Sequence, residues 1–562
     1  MNGNFATIDY VIFILYAILI VSVGLWVSRR KKGTERTAED YFLAGKSLPW
    51  WAIGASLIAA NISAEQFIGM SGSGFAIGLA IASYEWMAAI TLIIVGKFFL
   101  PIFIEKKIYT IPEFVEHRFS TNLKTILAVF WIALFIFVNL TSVLFLGAKA
   151  IDTIVGVGDG SLMLTAIIGL ALFAAAYSLW GGLSAVAWTD VIQVTLLIIG
   201  GLVTTFIAIT KLTPDGGIFE GFKYLYEVVP EKFSMILSKG EIITPNGRDA
   251  WWDLPGLAVL IGGMWVANLY YWGFNQYIIQ RTLAAKSLSE GQKGIAFAAF
   301  LKLLIPLIVV VPGIVAYVMN FENGATLDST FIGANGQILN DSAAPWLISQ
   351  FIPIGLKGLV LAALAAAIVS SLASMLNSTS TIFTMDIYRP YINKKANNSQ
   401  TVAVGRITAG VALVIAMFIA PQLSNLGQVF QYIQEYTGVV SPGILGVFLM
   451  GLFYKKATNK GAIWAVVLSI PIAIYFKVGP NGWAEGTSIE NLFIIMPFMK
   501  QMMATCLITI GLIGIFSYFD NKGKDDEKGI PLSRQLFETS KGFNISSLVL
   551  IVILIFLYVV FW

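Results

Sequence analysis

Residues 51–75 read WAIGASLIAANISAEQFIGMSGSGF, a run long enough to cross a bilayer but with Asn61, Ser63, Glu65 and Gln66 near its centre. A polar group in hydrocarbon without a partner costs several kcal/mol, so such residues within a membrane span indicate function. A helix that breaks at this depth also exposes carbonyls and amides that can hold an ion or a substrate. The segment therefore predicts a transporter.

The composition sets the class of protein. Of the 562 residues, 57% are hydrophobic and only 12% are charged, and the mean hydropathy is +0.79, whereas soluble domains carry about 25% charged residues. These values predict an all-α polytopic membrane protein. The chain has one cysteine, Cys506, and one histidine, His117, which excludes a disulfide framework and a zinc or haem site built on these residues. No nucleotide-binding or nucleic-acid motif occurs, so we expect no enzyme and no nucleic-acid partner.

About fourteen apolar segments have the length of a membrane span. Their approximate limits are 8–28, 51–75, 78–104, 124–153, 162–180, 186–210, 255–280, 293–320, 345–384, 401–420, 424–452, 461–477, 500–519 and 543–562. The run 345–384 is longer than one span needs, and we expect it to project beyond the bilayer.

Basic residues alternate between the loops and indicate orientation, because cytoplasmic loops are enriched in lysine and arginine. One side carries the run 29–32 and Lys106, Lys107, Arg118, Arg281, Lys286, Lys293, Arg389, Lys394, Lys395, Lys455, Lys456 and Lys460, with five more in 520–542. This pattern predicts a multi-pass protein of the plasma (inner) membrane with both termini outside.

The order of the spans suggests an internal repeat. Five segments within 51–210 match five within 255–452, and because five is odd the second set is inverted in the membrane. The first helix of each half is interrupted, since 255–280 carries paired glycines followed by polar residues. We expect an additional helix and loop in 1–50, an extracellular loop in 211–254 and additional helices in 453–562.

Two opposite charges lie inside apolar segments, Glu85 in SYEWM and Lys302 in AAFLKLLIP. One interpretation is that each charge reaches the membrane interface from a helix end. Lys302, however, lies about ten residues into its span, too deep to reach the interface easily. The alternative is that the two charges neutralise each other across a polar cavity that Gln66, Asn268 and Gln434 complete. Carboxylate and amide groups of this kind suit the vicinal hydroxyls of a sugar.

Aromatic residues are dense near these positions. An aromatic ring can stack on the C–H face of a pyranose or close a pocket, although interfacial aromatic belts and packed cores use the same residues. The candidates are Tyr84, Trp86, Tyr270, Tyr271, Trp272, Phe430 and Tyr432. Tyr271 is the best of them, because it lies three residues from Asn268 on the interrupted helix.

Small and hydroxyl residues recur at three- and four-residue steps in 362–383 and form one stripe on a helix. Such a stripe also permits close helix packing in membranes. The functional interpretation is a site of hydroxyl and carbonyl oxygens for a small cation such as sodium, with carbonyls from the helix break near residues 59–62. The stripe consists of Ala367, Ser370, Ser371, Ser374, Asn377, Ser378 and Thr381.

Several long motifs resemble the sodium/solute symporter family, and within it the sodium/sugar branch. They are EDYFLAGKSLPWW (39–51), GASLIAANISAEQFIGMSGSG (54–74), ASYEW (82–86), YSLWGGLSAVAWTDVIQ (177–193), WVANLYYWGFNQYIIQRTLAAKS (265–287), AALAAAIVSSLASMLNSTSTIFTMDIY (362–388) and FQYIQEYTGVVSPGIL (430–445). The resemblance implies a leucine-transporter-like core of two inverted five-helix repeats with flanking helices.

The resemblance also implies roles for individual residues. A monosaccharide, galactose or glucose, would be bound by Gln66, Glu85, Asn268, Lys302 and Gln434, with Asn61 close to the pocket. Tyr271 would be the inner gate, and Met70, Tyr84 and Phe430 the outer lid. Sodium would be held by the carbonyls of Ala59, Ile62 and Ala367 and the hydroxyls of Ser370 and Ser371, with Asp190 near its exit path. One position departs, because Ala88 replaces a serine of the family pattern, and this change would alter the hydroxyl preference.

Three other interpretations stay open at this point. The chain could be a sodium symporter for another solute, such as inositol, sialic acid or proline, or a passive channel. A membrane sensor is a third class, although the longest segment on the basic side has only about 23 residues and no room for a signalling domain. The oligomeric state does not follow from the sequence.

Overall fold

The computed structural model describes residues 5–27, 46–108, 110–156, 158–180, 182–213, 215–322, 324–478, 484 and 486–562. The basic run 29–32 and the first part of the motif at 39–51, residues 39–45, lie outside these ranges. Within them the regular structure is helical, and extended residues pair only as isolated bridges. The predicted all-α class is therefore confirmed.

The helices of the first half are separated by short turns and, in several places, by π-helical segments. In chain order they are α1 Thr7–Val27, α2 Trp50–Asn61, α3 Ser71–Ile77, α4 Ser83–Ile94, α5 Leu100–Glu105, α6 Ile111–Arg118, α7 Thr121–Ala133, α8 Thr141–Val155, α9 Met163–Trp180, α10 Gly182–Leu212 and α11 Gly217–Val228. The π-helical segments are Glu65–Met70, Val95–Phe99 and Leu134–Leu140.

The second half begins after a loop of turns and 3-10 segments. Its helices are α12 Leu257–Ile261, α13 Gly263–Phe274, α14 Gln276–Leu283, α15 Leu288–Phe321, α16 Ala343–Phe351, α17 Leu356–Ile382, α18 Asn398–Ile419, α19 Val429–Phe453, α20 Asn459–Val478, α21 Phe498–Asn521 and α22 Lys541–Val560. A π-helical segment, Phe383–Ile392, extends α17.

Ten helices in the described ranges are long and apolar enough to cross a membrane, and an eleventh span counts if one bent pair is taken together. The predicted number of fourteen is not confirmed. The other predicted spans fall on shorter or interrupted helices, namely α1, α9 and the broken helix that begins at Trp50. A multi-pass membrane protein follows from either count.

The predicted break of the first repeat helix is present. Helix α2 ends at Asn61, a π-helical segment runs from Glu65 to Met70, and α3 continues from Ser71. The second interrupted helix bends by 76° between Ile261 and Gly263. The first break carries the expected polar residues, whereas the second lies at the paired glycines, and Asn268 follows on α13.

Two interpretations of the sequence need correction. The run 345–384 is divided between α16 and α17, and the linking Gly355 has a φ of +87°, which favours glycine. The helical span from Leu356 to Ile392 nevertheless has 37 residues, more than one crossing needs. Arg281 and Arg118 are not exposed loop charges, since both side chains are buried. The guanidinium of Arg118 donates instead to backbone carbonyls near the end of α19, including that of Gly451 at 3.0 Å.

The centre of the bundle contains the two broken helices and their neighbours. Helix α15 packs along α2, α3 and α4, and α13 packs against α4 and α19. Helix α17 packs against α2 and α10, and α1 packs against α10 and α17 on the outside. Helices α15 and α17, which both pack against α2, therefore flank the break at residues 62–64.

Candidate substrate cavity and ion site

A cavity lies beside the break of the first repeat helix, and all ten residues that the resemblance assigned to substrate binding or gating line it. The volume of the cavity is about 60 Å³. Those ten are Asn61, Gln66, Met70, Tyr84, Glu85, Asn268, Tyr271, Lys302, Phe430 and Gln434. They come from five different parts of the chain, and only the fold brings them together.

The ammonium of Lys302 is bonded to the carboxylate of Glu85 and to the amide oxygen of Asn61. The two charged side chains are 1% and 3% exposed, so neither reaches the membrane interface. The Lys302 nitrogen also lies 4.9 Å from the centre of the Trp272 ring, within the range of a cation–π contact. The predicted neutralising pair is therefore present, and the alternative of two interfacial charges is wrong.

Local structure explains why Glu85 can lie at this depth. It is in the first turn of α4, directly after the 3-10 turn Leu79–Ala82. A negative charge at a helix N-terminus is stabilised by the helix dipole, and Lys302, from the middle of α15, supplies the opposite charge. A buried carboxylate thus has two sources of stabilisation in a medium that would otherwise exclude it.

Aromatic residues close the cavity on two sides. The rings of Tyr84 and Phe430 meet edge to face with their centres 5.2 Å apart, and Met70 is fully buried beside the cavity. On another side the Tyr271 hydroxyl accepts hydrogen bonds from the Asn61 amide at 3.2 Å and from the Tyr277 hydroxyl at 3.0 Å.

Four buried polar atoms of the lining have no partner in the described part of the chain. They are Oε1 of Glu65, Oε1 of Gln66, the hydroxyl of Tyr84 and Oδ1 of Asn275. Buried polar atoms are nearly always hydrogen-bonded, because an unpaired one loses its hydration without compensation. A ligand with several hydroxyl groups would supply the missing donors and acceptors.

The second predicted site lies where α17 packs against α2. The amide of Ser63 donates to the carbonyl of Asn61 at 2.9 Å, two residues back, rather than to Ala59, four residues back. The helix break therefore leaves the Ala59 carbonyl without its normal helical partner. On α17 the hydroxyl of Ser371 is buried and has no partner among the described residues. Free carbonyl and hydroxyl oxygens are what a hard cation such as sodium requires.

The remaining members of the predicted ion site are also buried. Ile62 ends the first half of the broken helix, and Ala367 and Ser370 lie one turn apart on the same face of α17. Asp190 is closer to this site than the sequence analysis expected. Its carboxylate accepts hydrogen bonds from Ser370 at 2.8 Å and from Ser56 at 2.6 Å, so it forms part of the wall behind the site.

A continuous set of contacts joins the two sites. From Asn61 the hydrogen bonds run through Tyr271 to the hydroxyl of Tyr277. The backbone carbonyl of Tyr277 is in turn bonded to Arg281, and the Arg281 guanidinium lies 3.4 Å from the carboxylate of Asp190. Every member is buried or partly buried, so a change at one site has a physical route to the other.

Comparison with known proteins identifies the family. The model of the sodium:solute symporter family matches residues 41–469. A sodium/glucose cotransporter of Vibrio parahaemolyticus is 58% identical over 99% of this chain and 98% of its own length. A human sodium/myo-inositol cotransporter 2 is 34% identical over 83% of this chain and 69% of its own length.

The chain belongs to the sodium:solute symporter family. It is therefore a sodium-coupled transporter and not an enzyme, and sodium is one of the species that it moves. The fold is confirmed by the structure of a Na⁺-coupled sialic acid symporter in a substrate-bound outward-open state. The two chains superpose with a TM-score of 0.73 over 94% of this chain and 99% of the other, at 23% identity. The leucine-transporter-like architecture of the symporter is thus as expected.

Sequence reasoning missed several residues of the symporter that line the cavity or connect its sites. Asn139, Asn275 and Thr437 line the cavity, and so does Glu65, which the sequence analysis named only as a polar residue of the broken helix. Asn139 could have been identified, because it is a polar residue inside an apolar segment. It was passed over because its sequence context matches a glycosylation pattern. Arg281 was missed because a basic residue after an apolar run is usually a loop charge.

Proposed function

We propose that the symporter carries a neutral monosaccharide, galactose or glucose, into the cell together with sodium by alternating access. The observation that supports this most directly is the bonded pair of Lys302 and Glu85 in a cavity otherwise rich in amides. In the described part of the chain, Lys302 is the single basic residue of the lining, and Glu85 already occupies it. A ligand carboxylate would find no free cation there, which argues against sialic acid and proline.

The chemistry of the lining supports a sugar. Amide groups of Asn61, Gln66, Asn268 and Gln434 can each donate to one hydroxyl and accept from another. The Trp272 ring offers an aromatic face, and the relatives are named as transporters of glucose and of myo-inositol, both neutral polyols. Ala88 also lines the cavity, so a methyl group stands where the family pattern has a hydroxyl.

Coupling would follow from a sodium ion that bridges the two halves of the ion site. An ion held by carbonyls of Ala59 and Ile62 and by Ser371 joins the broken helix to α17 and favours the sugar-competent form. The coupling free energy is reciprocal, so sugar must raise the affinity for sodium by the same factor. One sodium ion that moves inward across about 100 mV supplies about 2.3 kcal/mol, or roughly fiftyfold accumulation.

We further propose that the symporter resides in the plasma (inner) membrane with the basic loops in the cytoplasm and both termini outside. Its two inverted repeats would be residues 51–210 and 255–452, with 1–50, 211–254 and 453–562 as flanking segments. The helix breaks near the start of both repeats support this division.

Uptake into proteoliposomes tests the proposal. Labelled galactose and glucose are supplied outside, with either sodium or potassium as the external cation. Accumulation above the external concentration with sodium alone is expected, and it would exclude a passive channel. Equilibration without accumulation in either salt would contradict symport, and accumulation in potassium would contradict sodium coupling.

The second candidate substrate is myo-inositol, because one relative is named for glucose and another for myo-inositol. Both solutes are neutral, so the charges of the cavity do not discriminate between them. Competition by unlabelled solutes ranks the candidates. Inhibition of glucose uptake by galactose but not by myo-inositol supports the monosaccharide. Stronger inhibition by myo-inositol than by galactose would make myo-inositol the preferred substrate. Inhibition by proline or sialic acid would contradict the argument from charge.

A further inference from the structure

A second, largely apolar cavity of about 380 Å³ lies between α1, α9, α10 and α17, away from the substrate cavity. Most of its wall is alanine and large aliphatic or aromatic side chains. Two polar side chains from different helices also line it, Tyr16 on α1 and Gln193 on α10, and Ser370 of the ion site forms part of the wall. Its size falls in the range of small-molecule sites, which are typically apolar with a few polar groups.

The two polar groups have no partners. The hydroxyl of Tyr16 and Oε1 of Gln193 are buried, with residues that are 5% and 2% exposed, and neither has a hydrogen-bond partner in the described part of the chain. In a hydrocarbon environment each such group costs several kcal/mol unless something bonds to it. A purely apolar occupant would leave both groups unpaired, whereas a hydroxyl can both accept and donate.

The cavity opens toward the lipid-facing surface. Gly169 and Phe173 line it from α9 and are also exposed, and their neighbour Leu172 is 66% exposed on the same helix. On α1 the residues beside the lining are exposed aliphatic side chains such as Ile14 and Leu15. A ligand would therefore enter from the hydrocarbon rather than from water, which requires a mainly aliphatic molecule.

The apolar cavity does not result from loose packing of helix α1. Asp9, near the start of α1, is fully buried, and its carboxylate accepts hydrogen bonds from the amides of Gly355 at 2.7 Å and Gly358 at 2.8 Å at the start of α17. Farther along, Tyr16 and Ile20 of α1 pack against alanines of α17. The helix is thus held on both sides of the cavity.

We propose that this intramembrane cavity binds an aliphatic alcohol from the bilayer, whose chain fills the apolar part and whose hydroxyl bonds to Gln193 and Tyr16. The site is distinct from the proposed sugar cavity and does not depend on the identity of the transported solute. It shares one wall with the ion site through Ser370.

The direct test uses a diazirine derivative of octanol as a photolabel on the purified full-length protein in nanodiscs, with labelled residues mapped by mass spectrometry. We expect saturable labelling of Phe13, Tyr16 or Phe173. Octanol should displace the label at a concentration roughly tenfold lower than octane, the equivalent of about 1.4 kcal/mol for the hydrogen bonds. Labelling that does not saturate and is spread over lipid-facing residues such as Leu172 would overturn the proposal.

Two glycines give a matched pair of variants, because an added Cβ at either meets no atom within 4 Å. Gly169→Leu places a side chain at the mouth of the cavity and should lower specific labelling at least fivefold. Gly410→Leu, on the exposed face of α18, should leave it unchanged. Equal labelling of both variants and the wild type would contradict a site in this cavity.

The polar contacts have a separate test. Gln193→Met keeps the length of the side chain but removes the acceptor, so octanol should lose its advantage over octane while both still compete. An unchanged advantage would show that Gln193 does not hold the hydroxyl. Because labelling uses neither sodium nor sugar, its failure would leave the transport proposal untouched, and a failure of uptake would leave the cavity proposal untouched.

Discussion

The hydroxyl of Ser370 donates a hydrogen bond of 2.8 Å to the carboxylate of Asp190. Since the proton of the hydroxyl is directed at Asp190, its oxygen lone pairs remain available to a cation. Groups that orient a metal ligand in this way are an ordinary part of ion sites. Asp190 therefore acts on the proposed sodium site by fixing the orientation of Ser370, and its own position is fixed by Ser56 and Arg281.

Ser371→Ala should abolish sodium-driven uptake or raise the half-saturating sodium concentration at least about tenfold, the usual scale for a disturbed ion site. The protein should still fold, because the Ser371 hydroxyl has no hydrogen-bond partner to lose among the residues that the structure describes. The control is Thr379→Val on the same helix, whose hydroxyl is bonded to its own backbone at Met375. Unchanged sodium dependence in Ser371→Ala would remove Ser371 from the site.

Lys302→Ala should abolish transport, because it leaves the carboxylate of Glu85 unpaired inside the cavity. The measurement is initial uptake of galactose and glucose in proteoliposomes at several sugar concentrations. Lys293→Ala is the control on the same helix, since its side chain is half exposed and pairs with the nearby Glu290. If Lys302→Ala transported with an unchanged half-saturating sugar concentration, the polar-cavity argument would be wrong.

Tyr271→Phe keeps the ring but removes the acceptor for the Asn61 amide and the Tyr277 hydroxyl. Loss of these hydrogen bonds should weaken the closed inner side by about 1–3 kcal/mol. The expected result is faster sugar efflux in the absence of sodium from preloaded proteoliposomes. Tyr226→Phe, at a half-exposed tyrosine of α11, serves as the control. Efflux equal to the wild type would show that Tyr271 is not a gate.

Arg281→Met should destabilise the protein by about 3–5 kcal/mol, because it leaves Asp190 as an unpaired buried carboxylate. Adding Asp190→Asn removes that charge and should recover part of the loss. The measurement is the thermal unfolding midpoint in detergent for the two single variants and the double variant. Additive losses in the double variant would show that the two residues do not interact.

A pH dependence of stability should come from Asp341, which lies outside the membrane spans between α15 and α16. Burial raises the pKa of its carboxyl to about 7, although the amide of Val429, at 2.8 Å, and the positive charge of Lys149 oppose the shift. The other carboxylate oxygen lies against Gly72, where an added Cβ would meet it at 2.4 Å. The carboxyl is thus almost fully buried, with the residue only 2% exposed.

The direction in which the free energy of unfolding changes with pH follows from proton binding. Because the folded pKa of Asp341 is higher than the ordinary value of about 4, the folded state binds this proton more tightly than the unfolded chain does. The free energy of unfolding should therefore fall as the pH rises from about 4 to about 7 and level off above that range. Thermal midpoints of the wild type and Asp341→Asn over this range provide the test. The same decline in both proteins would assign it to another group.

Much of the site could be predicted from the sequence, because a polar residue in a hydrophobic span has a high free-energy cost and is easily recognised. Glu85 and Lys302 were identifiable for this reason, as was the break at residues 61–66, and the structure brings all of them to one cavity. Arg281 shows the limit of this approach. Its position after an apolar segment is typical of a loop charge, and only its neighbour Asp190, distant in sequence, makes burial possible.

The sequence by itself determined that the chain is a helical membrane protein, where its helices break and which polar residues lie in the membrane. These properties depend on local composition and on the cost of a single group in hydrocarbon. The tertiary structure decided which of those residues meet, that Asp190 holds Ser370, and that α1 leaves a cavity beside α17. Such contacts join residues more than a hundred positions apart, and they are fixed by the packing of whole helices, which no local pattern encodes.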